Sequence, residues 1–374
     1  MPFPGRRLHV IGDTCSCLWQ PNIHVLLIGS LPLSLARFLD VGSSDQLASM
    51  SFAQKALSIG TLAVVGVAAS AYAQSTLNGA GATFPAPFYQ RAFAGLAGKG
   101  VQVNYQSVGS GAGVRQYVAG TVDFGATDEP IKASEAAKVK RGVVQFPAVG
   151  GTIAIGYNKP DCKGLKLTQK QLVDIFLGEI KTWDQLKCGK GKINVAHRSD
   201  GSGTTFAFTN SLSTFSSEWK SKVGEGKSVK WPVGVGGKGN EGVAGVISNT
   251  PGAIGYINQS YVKGPIKAAA LQNKSGNFVM PNLASGAAAL NNITLDARLA
   301  GEDPNPAGAK SYPISTLTWI LAYEKGNGLK AGEIRKAMLH LLGPAQNDAD
   351  ELGYVPLKGD ILKRAKAAVA KIGA

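Results

Sequence analysis

Short β-rich runs alternate with helical patterns along the chain from Gln74 to its end. Runs of branched and aromatic residues predict strands, and apolar residues spaced three and four apart predict helices. The predicted strands are 101–105, 122–125, 143–146, 152–157, 193–197 and 253–257, and the predicted helices are 87–96, 114–119, 169–176, 205–213, 242–249, 331–342 and 361–372. This alternation predicts an α/β fold with largely parallel sheets, because parallel strands need a crossover between them.

The length of this segment predicts two domains. It spans about 300 residues, which exceeds the size at which one hydrophobic core usually suffices. No Ser/Pro-rich linker divides it, so we expect the two domains to be joined by strands that cross from one to the other. The two candidates are 146–157 and 312–323 (YPISTLTWILAY).

The stretch 50–73 has the pattern of a secretory signal peptide. Lys55 supplies a short positive region, 56–69 form a small apolar core, and the sequence ends in Ala71-Tyr72-Ala73, a cleavage pattern. The segment is short and rich in Ala and Gly, which favours a cleaved signal over a permanent anchor. Residues 1–49 precede the signal, so we expect them not to be part of the mature protein.

Only Cys162 and Cys188 follow the signal, and in an exported protein they favour a disulfide, with two free buried thiols as the alternative. His197 and His340 are the histidines of that segment, too few for a zinc-type cluster, so we expect no metal.

The net charge of +15 raises nucleic acid as a partner. The basic residues are scattered and no recognition motif appears, so we expect no nucleic acid and a cationic surface that steers anions.

Three glycine-rich turns each lead into a predicted helix: the first at 79–85 (GAGATFP), the second at 109–113 (GSGAG) and the third at 198–205 (RSDGSGTT). Unpaired N–H groups at a helix start, at the positive end of the helix dipole, form an anion site. Ordinary helix capping explains any one turn alone, whereas three that converge would surround a tetrahedral oxyanion. No turn completes a P-loop, dinucleotide or nucleophile-elbow pattern. A further glycine-rich stretch, 236–240, is interpreted as a structural turn.

Several long motifs resemble one family in order along the chain. They are 79–87, 104–114, 122–128, 177–184, 198–206, 231–239, 251–256 and 312–323. All are similar to the periplasmic phosphate-binding proteins of phosphate ABC importers. The resemblance implies a two-lobed periplasmic-binding-protein fold, with two Rossmann-like domains joined by two crossover strands. It places lobe I at 74–152 plus 313–374, lobe II at 153–312, and the ligand in the cleft between them.

The matching motifs imply a set of phosphate contacts with suitable chemistry. Hydroxyls and backbone amides supply donors, and an arginine fork suits a pair of phosphate oxygens. The implied contacts are Thr83, Phe84, Ser110, Asp128, Arg198, Ser202, Gly203 and Thr204. Asp200 is expected to support Arg198. For Arg198, a salt bridge to Asp200 is the purely structural alternative, and the resemblance suggests that both roles occur together.

Asp128 is unexpected in an anion site, because like charges repel strongly when desolvated. It fits if the ligand brings a proton that the carboxylate accepts. Sulfate has no such proton at neutral pH, so Asp128 would reject it. The alternative is that Asp128 caps the turn at 128–130.

The resemblance therefore implies a non-enzymatic periplasmic protein without cofactor that captures inorganic phosphate by lobe closure. A monomer in solution, it would deliver phosphate to the permease and ATPase of an ABC importer. Three alternatives stay open: a receptor for sulfate or molybdate, a secreted phosphatase or other hydrolase, and a surface protein that only scavenges phosphate.

Overall fold

The computed structural model describes residues 76–374, so the predicted signal at 50–73 and the stretch 1–49 lie outside the described residues. The strands are β1 (Thr76–Gly81), β2 (Gln102–Ser107), β3 (Phe124–Thr127), β4 (Val143–Asn158), β5 (Lys166–Leu167), β6 (Asn194–Arg198), β7 (Val235–Gly237), β8 (Ala253–Asn258), β9 (Lys267–Ala268), β10 (Ala270–Gln272), β11 (Phe278–Val279) and β12 (Ser315–Tyr323). The helices are α1 (Ala86–Ala94), α2 (Ser110–Ala119), α3 (Ala133–Ala136), α4 (Gln169–Leu177), α5 (Gly203–Phe215), α6 (Ser217–Lys222), α7 (Gly239–Asn249), α8 (Leu283–Leu290), α9 (Ala331–Leu341) and α10 (Gly359–Val369).

Every predicted strand and helix overlaps an observed element, and the α/β class is confirmed. The two predicted strands at 143–146 and 152–157 are parts of one strand, β4. The start of α4 shows how local sequence sets such boundaries. The Thr168 hydroxyl accepts from the Gln171 amide at 3.1 Å, and the Gln171 side chain accepts from the Thr168 amide at 3.0 Å. This reciprocal cap satisfies two amides that lack helical partners.

A nine-stranded sheet runs in the order β2-β1-β3-β12-β4-β8-β6-β7, with β9 paired to β4. Its outer pairs are parallel, as β1 is with β2 and β3, and as β6 is with β7 and β8. The inner strands β12 and β4 are antiparallel to their neighbours. The prediction of largely parallel sheets is therefore wrong for the centre, where the two long strands return through the sheet.

Strand β4 changes partner midway along its length. Val143–Thr152 pair with β12, and Ile153–Asn158 pair with β8. Almost all of its residues are buried, which requires cover on both faces. At 16 residues it is far longer than the usual strand of about five or six residues. One continuous strand therefore serves both halves of the sheet.

Cys162 and Cys188 form a disulfide, with their Cα atoms 4.9 Å apart, so the predicted bridge is confirmed. It closes a loop of 26 residues in sequence separation, and loops of this size contribute about 3 kcal/mol through the unfolded chain. Trp183 lies fully buried in the core nearby, and its indole N–H donates to the Gly252 carbonyl at 3.1 Å. Among residues 76–374, no helix is long and apolar enough to cross a membrane.

Candidate functional site

The three glycine-rich turns touch one another. The Gly111 amide donates to the Gly201 carbonyl at 2.8 Å, which joins the second turn to the third. The Gly109 amide donates to the Gly81 carbonyl at 2.8 Å, which joins the second turn to the first. Gly109 has φ of 88°, a conformation that glycine adopts without strain. The starts of α1, α2 and α5 therefore face a common region.

Asp128 lies directly after β3 in the middle of this region, with only 1% of its surface exposed. Its Oδ2 faces the hydroxyls of Thr204 at 3.3 Å and Ser110 at 3.5 Å. Its buried Oδ1 has no hydrogen-bond partner among the described residues. Buried carboxylate oxygens usually have partners, so an unsatisfied one needs an explanation, and a hydrogen brought by a ligand would supply it.

The turn after β3 does not need the Asp128 side chain as a cap. The Thr127 hydroxyl accepts from the Glu129 amide at 3.2 Å and donates to the Glu129 carbonyl at 2.8 Å. Thr127 thus fills the capping role that was the structural alternative for Asp128. The Asp128 side chain points instead to the hydroxyls of the site.

Burial raises the pKa of Asp128 to about 6. The Thr318 hydroxyl offsets part of that shift from beside the carboxylate, although its own hydrogen bond goes to the Thr127 carbonyl at 3.3 Å. The Arg198 charge and the hydroxyls of Thr204 and Ser110 offset a further part. Burial penalises the charged form of a carboxylate, and hydrogen bonds to that form work against the penalty. At neutral pH Asp128 is an ionised acceptor surrounded by donors.

Arg198 ends β6 and is 4% exposed. Its Nε and Nη2 donate to the two carboxylate oxygens of Asp200 at 2.7 and 2.6 Å, and its Nη1 lies 3.4 Å from the Thr204 hydroxyl. Asp200 also accepts from the Gly239 amide at 3.0 Å. The carboxylate thus fixes one edge of the guanidinium and leaves the Nη1 edge for the site.

Burial works to raise the pKa of Asp200, but the hydrogen bonds and charge of Arg198, with the Gly239 amide, hold it below its ordinary value. Asp200 is therefore ionised at neutral pH and supports Arg198, as predicted from the sequence. The ion pair orients the buried guanidinium of Arg198 toward Thr204 and occupies only one of its edges.

The third turn delivers Ser202, Gly203 and Thr204 to the site at the start of α5. The Ser202 hydroxyl accepts from the Thr205 amide at 3.0 Å, which caps the helix and leaves the hydroxyl hydrogen free to donate elsewhere. A side chain on Gly203 would place its Cβ 2.7 Å from the Asp128 amide nitrogen and from Ser110 Oγ. Only glycine fits this close approach.

Thr83 and Phe84, from the first turn, complete the predicted set. The Phe84 side chain is fully buried, and its carbonyl accepts from the Tyr354 hydroxyl at 2.7 Å, so it can offer only its backbone amide. The Thr83 carbonyl accepts from the Tyr261 hydroxyl at 2.9 Å. These two hydrogen bonds fix the backbone of both residues. Thr83 Oγ1 lies on the side of α7.

The structure also places Asn240, which the sequence reasoning passed over, inside this cluster. Its side-chain amide donates to the hydroxyls of Thr83 at 2.8 Å and Thr204 at 3.3 Å. The stretch 236–240, interpreted as a structural turn, therefore contributes to the site as well. The missed signal was the one used for the other turns, since Gly239-Asn240 is again glycine followed by a polar residue at a helix start.

No group of three or more metal-ligating side chains occurs within residues 76–374. The cluster offers hydroxyl and guanidinium donors around a single carboxylate acceptor. Such a set is suited to a small oxyanion that carries a hydrogen.

Residues 66–338 match the family described as "PBP superfamily domain". The chain is similar to the "Phosphate-binding protein PstS" of Haemophilus influenzae, with 43% identity over 314 residues, 78% of this chain and 92% of the relative. It is also similar to the protein of the same name from Pasteurella multocida, with 42% identity over 313 residues, 78% of this chain and 89% of the relative.

Solved structures share the fold. The structure of a phosphate binding protein from Stenotrophomonas maltophilia superposes with a TM-score of 0.64 at 19% identity, over 78% of this chain and 93% of that one. At this identity the superposition shows the architecture alone, and it confirms a periplasmic-binding-protein fold.

Proposed function

This chain belongs to the phosphate-binding proteins of the periplasmic-binding-protein superfamily, and on that premise we propose that it captures inorganic phosphate at the cluster around Asp128 for an ABC importer. The observation that carries the proposal is the unpaired Oδ1 of Asp128. A buried acceptor among donors matches an oxyanion that still carries a hydrogen. Phosphate at neutral pH has one, and sulfate does not.

The predicted contacts supply complementary roles. Arg198 Nη1 carries the positive charge, and the hydroxyls and the amides at helix starts donate to unprotonated oxygens. Asp128 accepts the hydrogen of the ligand and repels any ligand without one. Thr83, Phe84, Ser110, Ser202, Gly203 and Thr204 are the proposed donors, and Asp200 orients Arg198.

Capture takes place by closure of two lobes, 74–152 plus 313–374 and 153–312. The change of partner in β4 between Thr152 and Ile153 supports this division, because a hinge there leaves the ladders on either side intact. The proposed donors come from both lobes, so phosphate makes its full set of contacts only in the closed form. A ligand shifts a conformational equilibrium through such differential contacts.

The Lys227–Glu129 ion pair would help to hold the lobes closed. Lys227 Nζ lies 2.9 Å from Glu129 Oε2, and the two side chains are 15% and 5% exposed. Lys227 belongs to predicted lobe II, and Glu129 adjoins Asp128 in predicted lobe I. Opening would separate the pair.

Lys227→Met should weaken phosphate binding about tenfold in titration calorimetry, because it leaves the buried Glu129 of the closed form with only the exposed Lys132, at 3.4 Å, as a partner. Adding Glu129→Gln should restore most of the affinity, since no buried charge then lacks its partner and Lys132 is solvent-exposed. Lys222→Met is the matched control, because its pair with Glu218 is solvent-exposed. Equal losses in Lys227→Met and the double variant would argue against the pair as a closure contact.

Delivery requires a partner in the membrane. We propose a periplasmic monomer, exported through the signal at 50–73, that docks on the permease subunits of an importer driven by a cytoplasmic ATPase. The role is transport without covalent chemistry. A binding protein of this kind returns to its open form once the permease has taken the ligand.

Calorimetry of the chain from Gln74 with phosphate, repeated in excess sulfate, tests the function directly. Tight phosphate binding that sulfate does not displace is the expected result. Displacement by sulfate at neutral pH would identify a receptor for a different oxyanion. Turnover of a chromogenic phosphate ester would instead reveal a hydrolase.

A further inference from the structure

Asn240 lies at the start of α7, fully buried, and its hydrogen bonds fix which way its amide points. Its Oδ1 accepts from the Asn258 backbone amide at 2.7 Å. A backbone N–H can only donate, so the oxygen must face Asn258 and the NH₂ group must face the site. The orientation of this amide is thus set by the fold.

Both lone pairs of the Thr83 hydroxyl are directed to Asn240. Thr83 Oγ1 accepts from the Asn240 backbone amide at 3.0 Å and from its side-chain amide at 2.8 Å. A hydroxyl has two acceptor lone pairs and one donor hydrogen. With both lone pairs engaged, Thr83 can act toward any ligand only as a donor.

The same amide acts on Thr204. Thr204 Oγ1 receives the second Asn240 N–H at 3.3 Å and faces Arg198 Nη1 at 3.4 Å, while its own hydrogen points to Asp128 at 3.3 Å. Its lone pairs are again engaged by donors. One amide therefore makes two hydroxyls into donors.

We propose that Asn240 is a positioning residue that sets the hydrogen-bond polarity of the site and reserves Asp128 as the place where the ligand hydrogen is accepted. The inference rests on the proposed capture of phosphate and deepens it. Thr83 and Asn240 lie in different predicted lobes, so the polarity is set as the lobes close. Free threonine hydroxyls could donate or accept, and the site would then tolerate ligand hydrogens at several positions.

Phosphate titrations of Asn240→Ala and Asn240→Asp test the idea. The alanine variant should lose about tenfold in affinity, because the hydroxyls regain their freedom. The aspartate variant should lose about 50-fold at pH 8, because an ionised carboxylate draws the Thr83 hydrogen away from the ligand and repels the anion. Asn249→Asp, an exposed position at the end of the same helix, adds the same charge and should leave the affinity unchanged.

A pH series distinguishes a loss of affinity caused by changed hydrogen-bond polarity from one caused by disturbed packing. The charged groups around position 240 are Lys238 and Glu241 along the chain, Asp200 at the Gly239 amide, and Arg198 and Asp128 at the Thr204 hydroxyl. Each variant is therefore compared with the parent at the same pH. A protonated carboxyl has one hydrogen to donate where the amide has two, so it can restore the bond to Thr83 but not the bond to Thr204 as well. The loss in Asn240→Asp should therefore shrink as the pH falls to 5, whereas the loss in Asn240→Ala should stay constant. Losses that are equal and independent of pH would overturn the proposal.

A double-mutant cycle that combines Thr83→Val with Asn240→Ala is the second test. Removing both the Thr83 hydroxyl and the Asn240 amide should cost less than the sum of the two single losses, because only the action of Asn240 on Thr204 remains to be lost once Thr83 is changed. Additive losses would contradict coupling. If the Asn240 variants do not fold, neutron diffraction of the parent with phosphate decides. A Thr83 hydrogen directed at the ligand supports the proposal, and one directed at Asn240 refutes it. A parent that does not bind phosphate would instead overturn the proposed function.

Discussion

Asp128→Asn should lower the preference for phosphate over sulfate by at least about 1,000-fold at pH 8, the largest change in selectivity expected from one substitution. The carboxylate accepts a hydrogen from phosphate and turns its lone pairs against sulfate. An amide keeps the shape, loses the charge and can present its NH₂ group to a sulfate oxygen. Phosphate loses a charge-assisted bond while sulfate gains a donor.

The parent protein should show the same change when acid titrates Asp128. Its pKa is raised to about 6, so the carboxyl is ionised at pH 8 and mostly protonated at pH 5. A protonated Asp128 donates, and sulfate, which stays unprotonated, can then bind. Sulfate affinity should therefore rise as the pH falls through 6 in the parent and stay level in Asp128→Asn.

Titration calorimetry with sulfate alone at several pH values checks both statements. The control is Asp184→Asn, an exposed position that removes the same charge away from the site. If the variant still excludes sulfate at pH 8, Asp128 does not determine the selectivity. A parent with equal sulfate affinity at pH 5 and pH 8 would contradict the role of its titration.

The raised pKa also has a consequence for stability. An aspartate with a pKa near 6 in the folded state and about 3.9 in the unfolded state binds more protons when folded. The free energy of unfolding therefore falls as the pH rises from about 4 to 6, and the cost is complete above 6. The buried carboxylate is retained despite this cost, as is common for groups that serve binding.

Local patterns predicted the elements whose signals are self-contained. The cap and apolar spacing of α4 and the branched and aromatic residues of β8 need no information from elsewhere in the chain. Strand β1 was not predicted, because Thr76–Gly81 (TLNGAG) has too few branched residues and becomes a strand only through its parallel neighbours β2 and β3. Tertiary context overrides weak propensity in such segments.

The candidate site was predicted as residue types at helix starts, and the structure adds which groups face each other. That Thr127 caps the turn after β3, and so releases Asp128, depends on side-chain geometry. Asn240 was missed because its turn follows only the short edge strand β7. Its partners Thr83 and Asn258 are remote in sequence, and such contacts leave no local pattern.

Gly203→Ala should weaken phosphate binding by at least about 1,000-fold while leaving the fold intact. The new methyl group would lie 2.7 Å from the Asp128 Cβ, the Asp128 amide nitrogen and Ser110 Oγ. Gly203 belongs to predicted lobe II and its neighbours to predicted lobe I, so the clash opposes closure rather than folding. Half-closed lobes lose several bonds to a charged ligand, each contributing about 1.5–3 kcal/mol.

Gly332→Ala provides the matched control, because nothing lies within 4 Å of the Cβ it would add to α9. That change should leave affinity unaltered and slightly favour the helix. Small-angle scattering should show that Gly203→Ala keeps the dimensions of the ligand-free parent when phosphate is added, with a melting temperature close to that of the ligand-free parent. If the variant closes and binds phosphate within tenfold of the parent, the approach of Gly203 to Asp128 is not what brings the two lobes into register, and the donors of α5 must reach the ligand by another route.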